Sequence, residues 1–323
     1  MVPTLAADDA LQACLESLAG QIFRDFEVIV VDNSGRKLAQ PRDGVRIIHN
    51  NENAGFGAAV NQGIRASKGP FVATLNDDAA AEPGWLQALV RAIAERPEIG
   101  MCASQIRMAA DGRLDSAGML VCADGSSKQC GHLEPPGKYA RPRHALLPSG
   151  CAALYKREML DEIGLFDESF FLYCEDTDLG LRARWAAWEC VYAPDAVVEH
   201  RYSHSAGRAS ALKAYYVERN RLYLLVKNFP EALLWRAPFY SLARYFWHVV
   251  YALKGQGTAA EFRRAGNRPA SLPMSVLRAH AALLRDWRRL WKERKRIRRR
   301  LTPVQFRLLL RDYSISPRKV AAL

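Results

Sequence analysis

The feature that most constrains the fold of this chain is an alternation of strand-like and helix-like segments over its first 103 residues. Short apolar runs have the length of buried strands, and the segments around them space apolar residues as a helix does. The strand-like runs are 26–31, 45–49 and 71–75. The helical patterns cover 8–20, a segment that opens at 50 and extends to about 67, and a segment that begins near 82. Such an alternation predicts a doubly wound α/β sheet.

Residues 104–148 break this alternation. They are rich in Gly and Pro and contain only short alternating apolar pieces, such as 119–122. This pattern predicts a loop and hairpin insert over the edge of the sheet. Long loops in that position commonly set substrate specificity.

Polar residues follow the strand-like runs where the runs end. The run at 26–31 leads into Asp32-Asn33-Ser34-Gly35, which fits a parallel sheet with ligand groups at its carboxyl edge. Gly55 and Gly57 come at a helix start, where backbone N–H groups can approach a phosphate. A tight strand-to-helix turn explains these glycines equally well.

An acidic pair, Asp77 and Asp78, stands just after the strand at 71–75 and Asn76. Both acids come too early to cap the helix that begins near 82. Adjacent carboxylates repel each other unless a cation lies between them, and hard oxygen ligands suit Mg²⁺ or Mn²⁺. The pair therefore indicates a divalent cation site, with a solvated turn as the alternative.

A second acidic cluster lies at the start of a helix predicted over 177–187. Glu175, Asp176 and Asp178 stand where unpaired N–H groups and the helix dipole favour negative charge in any protein. That explanation does not account for the aromatic residues before the cluster, nor for His200 at the end of the next apolar strand. A carboxylate against an apolar wall has the raised pKa of a general base. We therefore take Glu175 and Asp176 as the first functional candidates.

Cysteine usage and the N-terminus bear on the cellular compartment. The seven cysteines are scattered without any CxxC pair, which favours reduced thiols in a cytosolic protein over a zinc site or a disulfide framework. The N-terminal residues lack a basic region followed by an apolar run, so we expect no signal peptide. No uninterrupted apolar segment of membrane-spanning length is present.

Beyond residue 210 the pattern is wholly helical and basic. Residues 285–300 hold ten basic residues against two acidic ones, and so carry most of the net charge of +12. In 232–253, four polar residues fall on one helical stripe and leave a broad apolar face; they are Arg236, Ser241, Arg244 and His248. One interpretation is a helix packed on the rest of the chain. The other, which we favour, is an interfacial helix on an anionic membrane surface.

Five motifs, taken together and in order, resemble those of family 2 glycosyltransferases, and in particular a rhamnosyltransferase-like branch that builds bacterial surface polysaccharides. The resemblance covers roughly residues 2–230. The motifs lie at 26–34, at 53–56 with Asn61, at 75–78, at 164–168 through 173–182, and at 194–196 with His200. The resemblance implies a GT-A fold, in which a mixed sheet flanked by helices binds a nucleotide sugar. We divide the chain into a catalytic domain (1–228) and a helical, basic, membrane-associated extension (229–323).

The resemblance also implies roles for single residues. Asp176 matches the catalytic base, and Glu175 is expected to orient a sugar hydroxyl or a neighbouring arginine. Asp78 matches a ligand of the cation, Mn²⁺ or Mg²⁺, and His200 the histidine that completes the metal shell in some relatives. For His200 by itself, a satisfied buried histidine is the simpler interpretation.

The nucleotide sugar is expected at the carboxyl edge of the sheet. Asp32 would hold the base with Thr4 nearby, and Asp77 lies beside the cation ligand. Three further residues would border the nucleotide and its phosphates: Asn53, Gly55 and Asn61.

The implied reaction is transfer of one sugar with inversion at the anomeric carbon. The acceptor would be a polyprenyl-linked or glycan acceptor, met at the cytoplasmic face of the cell membrane. Within this branch dTDP-rhamnose is the favoured donor, with UDP sugars close behind.

The sequence departs from the family pattern at three places. Residues 2–5 retain only the end of the usual first strand, so either the true start lies upstream or this strand is shortened. Asn76 replaces the first acid of the metal motif. Residues 182–185 superficially resemble a QxxRW motif of processive synthases but lack its Gln. We interpret them as helix surface and expect single-sugar addition.

Two other classes of function stay open at this point. A catalytically silent nucleotide-sugar-binding module would bind the donor without turnover. An Arg-rich nucleic-acid-binding protein would use 285–300, but no recognised nucleic-acid module accompanies that segment, so we expect no nucleic-acid partner. Among enzymes, a nucleotidyltransferase also pairs an α/β sheet with metal-binding acids.

Overall fold

The computed structural model describes residues 1–6, 8–201, 210–268 and 271–323. The strands are β1 (Val2–Thr4), β2 (Val28–Asp32), β3 (Val45–His49), β4 (Phe71–Leu75), β5 (Ala79–Ala81), β6 (Ile99–Met108), β7 (Leu114–Ser116), β8 (Met119–Val121), β9 (Ser127–Gln129), β10 (Arg143–Ala145), β11 (Ala152–Lys156) and β12 (Glu189–His200). The helices are α1 (Asp9–Ala19), α2 (Phe56–Ala66), α3 (Trp85–Ala94), α4 (Arg157–Ile163), α5 (Glu175–Trp185), α6 (Ala211–Asn228), α7 (Glu231–Leu234), α8 (Ala237–Leu253), α9 (Gly257–Arg264), α10 (Ser271–Arg296), α11 (Pro303–Asp312) and α12 (Pro317–Ala322).

The strands form a parallel part and a mixed part. β1, β2 and β3 pair in parallel, whereas the larger sheet has the order β10-β12-β6-β11-β4, with β5 on β12 and β7 on β6. The two parts meet at Met1, whose carbonyl accepts a hydrogen bond from the backbone N–H of Leu75 at 3.1 Å. The sheet is mixed because β11 runs antiparallel between β4 and β6. The α/β prediction is confirmed, with this mixed sheet in place of a purely parallel one.

Helices cover both faces of the sheets. On one side, α1 and α3 bury Leu15 and Trp85 against strand residues such as Val30. On the other side, α2 and α5 contribute Val60 and Leu179 to a second apolar cluster. Side chains that alternate to opposite faces of each strand supply both clusters, as a sheet buried on two sides requires.

The insert, predicted over 104–148, begins at 109 because strand β6 continues to Met108. β7 extends the sheet edge beside β6, β8 and β9 form an antiparallel hairpin, and β10 pairs with β12. The insert therefore stands over the carboxyl ends of the central strands, at the side of the sheet where the candidate residues gather.

Helix α5 differs from the prediction in its start and in its burial. It begins at Glu175 rather than Thr177, and the segment 182–185 is not helix surface. Arg182 donates hydrogen bonds to three carbonyls of residues 163–165, and the Trp185 ring stacks on Phe306 with centroids 3.8 Å apart. The interpretation as surface was wrong because α6 and α11 cover this side of α5.

The C-terminal helices share a core with the α/β part. Trp185 and Tyr223 lie in one apolar cluster with Leu290 and Phe306, so residues 229–323 pack directly on residues 1–228. Among the described residues, no helix combines the length and apolar content needed to cross a membrane.

Helix α8 turns Ser241, Arg244 and His248 of the predicted polar stripe inward, whereas Arg236 is exposed just before the helix. Arg244 bonds Asp124 at 2.6 Å and Glu218 at 2.8 Å, and both carboxylates also face Arg221. Apolar side chains point outward instead: Phe239, Leu242, Phe246, Val249 and Leu253 are all more than half exposed. The helix therefore packs on the catalytic domain through its polar side, and its apolar face is left at the surface.

Part of the basic run at 285–300 is structural. Arg294 is buried and donates to the carbonyls of Val226 and Phe229, and Arg289 bonds Ser169 and Glu293. Arg285, Arg288, Lys292 and most of the remaining basic side chains stay exposed. The run therefore both fastens α10 to α6 and gives the surface a positive charge.

Replacing Arg244 by alanine is expected to lower the free energy of unfolding by about 3–5 kcal/mol, because it leaves Asp124 and Glu218 buried with less compensating charge. Chemical denaturation measures this change. Arg236→Ala, at an exposed position just before the same helix, is the matched control and should shift stability by less than about 0.5 kcal/mol. Equal effects of the two changes would contradict a stabilising role of the buried network.

Candidate active site

A cavity of about 1010 Å³ opens at the carboxyl ends of β1 and β4, over the start of α5. It gathers most of the sequence-predicted residues on one wall: Thr4, Asp77, Asp78, Glu175, Asp176 and His200. The predicted insert also lines the cavity, and so do α6, α8, α9, α10 and α12, which the sequence did not place there.

Asp78 and His200 are adjacent although they are far apart in sequence. The antiparallel register of β5 on β12 sets His200 opposite Ala79, next to Asp78. The Asp78 Oδ1 and His200 Nε2 atoms are 3.2 Å apart, and both side chains are buried. The predicted pairing of these two residues is thus present in the fold.

Asp115, in the insert strand β7, is a site residue that the sequence did not reveal. Its Oδ2 lies 2.8 Å from Nδ1 of His200, and its carboxylate also faces His132. Burial would raise the pKa of Asp115, but hydrogen bonds to His132 and His200 hold it below the ordinary value. An ionised Asp115 fixes the ring of His200 with Nε2 directed at Asp78.

The donor set fits a divalent cation. Adjacent ligands of an octahedral ion at about 2.1 Å stand about 3 Å apart, close to the 3.2 Å between Asp78 Oδ1 and His200 Nε2. A carboxylate that fixes the ligating histidine through its other nitrogen is the usual outer partner of such a site. No group of three or more His, Cys, Asp or Glu side chains in the described part of the chain is arranged to hold a metal by itself. The remaining ligands would have to come from elsewhere.

Asp77 is held by the first strand rather than by the cation pair. Its carboxylate accepts hydrogen bonds from the Thr4 side chain and from the backbone of Leu5. Burial, together with the charge of Asp78, raises the pKa of Asp77 above its ordinary value. The two adjacent acids therefore point to different partners, which separates their charges.

Asp176 is oriented toward the cavity by backbone groups. Its Oδ2 accepts from the N–H of Gly150 at 2.8 Å, and its Oδ1 accepts from the N–H of Thr177 at 2.6 Å. Burial raises the pKa of Asp176, and these hydrogen bonds oppose the rise. A carboxylate with raised basicity and a fixed orientation has the properties of a general base.

Glu175 has the opposite character. It is only 6% exposed, and burial with the neighbouring charge of Asp176 raises its pKa to about 8. Its Oε2 atom is buried without a hydrogen-bond partner among the described residues. A pKa of about 8 favours the protonated form near neutral pH, and a protonated carboxyl can donate a hydrogen bond.

The loop before these carboxylates has an unusual backbone that α6 holds in place. Phe171, Tyr173 and Cys174 all have positive φ, which is costly for residues other than glycine. The Asn220 amide donates to the carbonyls of Phe170, Leu172 and Tyr173 at 2.7–2.9 Å. These bonds stabilise the turn that places the start of α5 at the cavity.

The other predicted nucleotide residues lie beside the cavity without lining it. Asp32 accepts from the backbone of Ser34 and Ala39, and Asn53 accepts from the side chain of Asn33. Asn61 uses its amide on the backbone of Phe166. Gly55 and the three predicted polar residues, Asp32, Asn53 and Asn61, are absent from the described residues that line the cavity. Their contact with a nucleotide stays a prediction.

Gly55 is required for packing. Its φ is +89°, and a Cβ atom there would lie 2.4 Å from the carbonyl oxygen of Phe171. The close approach to Phe171 is a structural reason for this glycine, and its contact with a phosphate stays a prediction. It brings the start of α2 against the loop that carries the catalytic candidates.

Solved glycosyltransferases share this fold. GalNAc-T7, solved with UDP, GalNAc and Mn²⁺, matches with a TM-score of 0.56 and 15% identity over 72% of this chain and 48% of its own. A mannosyltransferase from Pyrobaculum calidifontis, solved with GDP-Man and Mn²⁺, matches with a TM-score of 0.50 and 17% identity over 96% of this chain and 84% of its own. These matches define the class of protein, a GT-A fold.

The chain belongs to glycosyl transferase family 2, whose family model matches residues 1–164. An N-acetylglucosaminyl-diphospho-decaprenol L-rhamnosyltransferase of Mycobacterium tuberculosis is 30% identical over 259 residues, which are 71% of this chain and 83% of the relative. The uncharacterized protein y4gI of Sinorhizobium fredii is 30% identical over 227 residues, but this chain spans only 24% of its length. The family and its rhamnosyltransferase-like branch are confirmed.

The pKa of Glu175 predicts a pH dependence of stability. Its raised pKa of about 8 keeps a proton on the folded protein that the unfolded chain loses above about pH 5. The free energy of unfolding should therefore fall from pH 5 to pH 8, by at most about 1.4 kcal/mol per pH unit from this group.

Across this pH range, the free energy of unfolding of Glu175→Gln should fall less than that of the parent chain. Chemical denaturation at each pH measures it. Glu158→Gln, at an exposed position on α4, is the control and should leave the pH profile unchanged. If the free energy of unfolding changes with pH equally in the parent and in Glu175→Gln, Glu175 is ionised in the folded protein.

Proposed function

We propose that this protein is an inverting glycosyltransferase that adds a single sugar from a nucleotide-sugar donor to a lipid-linked acceptor in bacterial cell-surface polysaccharide synthesis. One observation carries the proposal: Asp176, an oriented carboxylate, faces the same cavity as the Asp78–His200 pair. That arrangement sets a proton acceptor and a cation-binding pair around one space.

Asp176 would remove the proton from the attacking hydroxyl of the acceptor. Its Oδ2 accepts from Gly150 and its Oδ1 from the N–H and the hydroxyl of Thr177, which hold the carboxylate in place at the cavity. Attack from the side opposite the leaving nucleotide inverts the anomeric carbon. Protonated Glu175 would donate a hydrogen bond to a sugar hydroxyl, in agreement with its expected orienting role.

Asp78 and His200 would hold Mn²⁺ or Mg²⁺, and Asp115 would keep His200 in its ligating orientation. When bound, the cation compensates the negative charge of the departing diphosphate. Two solved proteins of the same fold contain Mn²⁺ with a nucleotide or nucleotide sugar, which supports this assignment. Thr4 and Asp77 lie where the nucleotide would meet the sheet edge.

We propose dTDP-rhamnose as the donor. Support comes from the mycobacterial relative, which is named as an L-rhamnosyltransferase acting on a diphospho-decaprenol acceptor. UDP sugars are the second choice, since GalNAc-T7 was solved with UDP.

Asp176→Asn should lower the rate of sugar transfer by about 100- to 10,000-fold, because an amide cannot accept the proton. The assay follows donor turnover with dTDP-rhamnose, UDP-glucose, UDP-galactose, UDP-N-acetylglucosamine and GDP-mannose, with and without a chelator. Asp195→Asn, at an exposed site, is the control and should retain full activity. Donor binding without turnover of any sugar would favour the silent binding module instead.

We also propose that the protein lies on the cytoplasmic face of the cell membrane. The outward apolar face of α8 supports this, together with a stripe on α10 formed by Leu277, Leu284, Arg288 and Lys295. Their spacings of seven, four and seven residues keep them on one side of a helix. The stripe is apolar in its first half and basic in its second, which suits acyl chains beside anionic head groups.

Flotation with vesicles tests the membrane proposal. The protein should float with vesicles that contain anionic lipid and float less with neutral ones, because both apolar and electrostatic attraction contribute. Phe239→Ser combined with Phe246→Ser should reduce flotation at least threefold. Ile22→Ser, which changes an exposed residue of the α/β part, is the control. Unchanged flotation of the double variant would refute α8 as the contact face.

A further inference from the structure

We propose that Ser127, in the insert, is a positioning residue for Asp176 and acts through the hydroxyl group of Thr177. This proposal rests on the proposed function, in which Asp176 accepts the proton of the acceptor hydroxyl. The Thr177 hydroxyl donates a hydrogen bond to Asp176 while that carboxylate is ionised, and turns to Ser127 once Asp176 is protonated. The three side chains come from two separate elements, the start of α5 and strand β9.

The Thr177 hydroxyl lies between two possible acceptors. Its Oγ1 atom is 3.2 Å from Oδ1 of Asp176 and 3.0 Å from Oγ of Ser127. A threonine hydroxyl carries one proton, so it donates to one of these oxygens at a time. Ser127 has a proton of its own and can donate it to Thr177 while Thr177 donates to Asp176. A change between the two arrangements therefore requires only rotation of hydroxyl hydrogens.

The hydroxyl at position 177 is not explained by packing or by helix capping. Thr177 is fully buried, and valine would fill nearly the same space without a polar atom. The residue at the cap position of α5 is Cys174, whose side chain makes no capping hydrogen bond. A buried hydroxyl is costly unless it is hydrogen-bonded. Its contacts with Asp176 and Ser127 are therefore the reason that a threonine is tolerated here.

Ser127 is held in place by the hairpin turn before it. Asp124 meets the Arg244 guanidinium of α8 at 2.6 Å, and its carbonyl accepts from Arg221 of α6 at 2.9 Å. Gly125 has a φ of +85°, and a Cβ atom there would overlap the Arg221 carbonyl oxygen. The turn is thus closely docked on two helices, and Ser127 follows it as the first residue of β9.

Ser127 keeps a hydrogen-bond partner in both arrangements. Its hydroxyl also contacts the thiol of Cys174, which can accept or donate a weak hydrogen bond. When Thr177 donates to Ser127, Ser127 can donate to the sulfur atom of Cys174. When Thr177 donates to Asp176, Ser127 can donate to Thr177. No proton leaves this group of hydroxyls in either direction.

The transfer step changes the hydrogen bonds that Asp176 needs. The O–H bond of the acceptor breaks and an O–H bond forms on Asp176, while the acceptor oxygen bonds the anomeric carbon. The nucleotide leaves with the electron pair of its bond to that carbon. Asp176 thereby loses its charge, and a hydrogen bond to a neutral carboxyl is weaker than one to a carboxylate. Ser127 gives Thr177 a second acceptor, so it stabilises the transition state more than the ground state.

A double-mutant cycle on the rate of sugar transfer tests this role. Ser127→Ala leaves Thr177 bonded to the ionised form of Asp176, and should lower kcat about tenfold, with KM for donor and acceptor changed less than twofold. Thr177→Val removes the hydroxyl that turns. In the Thr177→Val background, Ser127→Ala should change kcat less than twofold, because the two residues act as one unit.

Two control variants separate the hydroxyl group from the shape of the hairpin. Ser127→Thr keeps the hydroxyl and should retain kcat within threefold of the parent. Ser314→Ala removes an exposed hydroxyl from the segment that pairs with Val121 of the same hairpin, and should leave kcat unchanged. An affinity for dTDP with Mn²⁺ equal to that of the parent shows that each variant is folded.

Parental kcat in Ser127→Ala would overturn the proposal, as would an equal loss in the two backgrounds or a loss expressed in KM alone. The proposed function fails differently. Parental transfer by Asp176→Asn would refute Asp176 as the base, and no turnover of any donor would refute the transferase; either result removes the role of Ser127 as well. An inactive Asp176→Asn without coupling between Ser127 and Thr177 would refute the role of Ser127 alone.

Discussion

The hydrogen bonds between α6 and the loop before α5 are the interaction on which the site depends. Asn220 and Arg219 donate to the carbonyls of residues 169–173, and the same helix sends Lys227 to Asp178 inside α5. A loop with several left-handed residues does not hold its shape alone. The family model ends at residue 164, before Asp176, so the segment that supports the proposed base lies beyond the matched region.

Two opposing effects set the properties of the carboxylates at the start of α5. A helix N-terminus favours ionised acids, whereas burial favours neutral ones. At Glu175 the effect of burial is the larger one, and the pKa of Glu175 rises to about 8. At Asp176 two backbone N–H donors limit the rise. These effects suit Glu175 to donate a hydrogen bond and Asp176 to its proposed role as proton acceptor, a division commonly found in acid–base sites.

The sequence predicted the site residues at strand ends better than their surroundings. β3 and β4 coincide with their predicted bounds. Asp78, Asp176 and His200 meet in one cavity, because the antiparallel pairing of β5 with β12 brings His200 beside Asp78 and the start of α5 lies at the same side of the sheet. No local pattern signals that Asp115 bonds His200, since a hairpin insert must fold back over the sheet to bring them together. The burial of residues 182–185 was missed for a similar reason: polar residues resemble surface until the covering helix is known.

The C-terminal helices reverse the usual amphipathic arrangement. A helix on a soluble protein packs its apolar stripe inward, but α8 buries Arg244 in an ion-pair network and exposes Phe239 and Phe246. Burying a charge costs free energy, and exposing a broad apolar face gains none in water. The buried charges therefore attach the helix to the domain and leave its apolar side exposed. The outward apolar face of α8 and the positively charged end of α10 both suit the proposed contact with an apolar and anionic membrane surface.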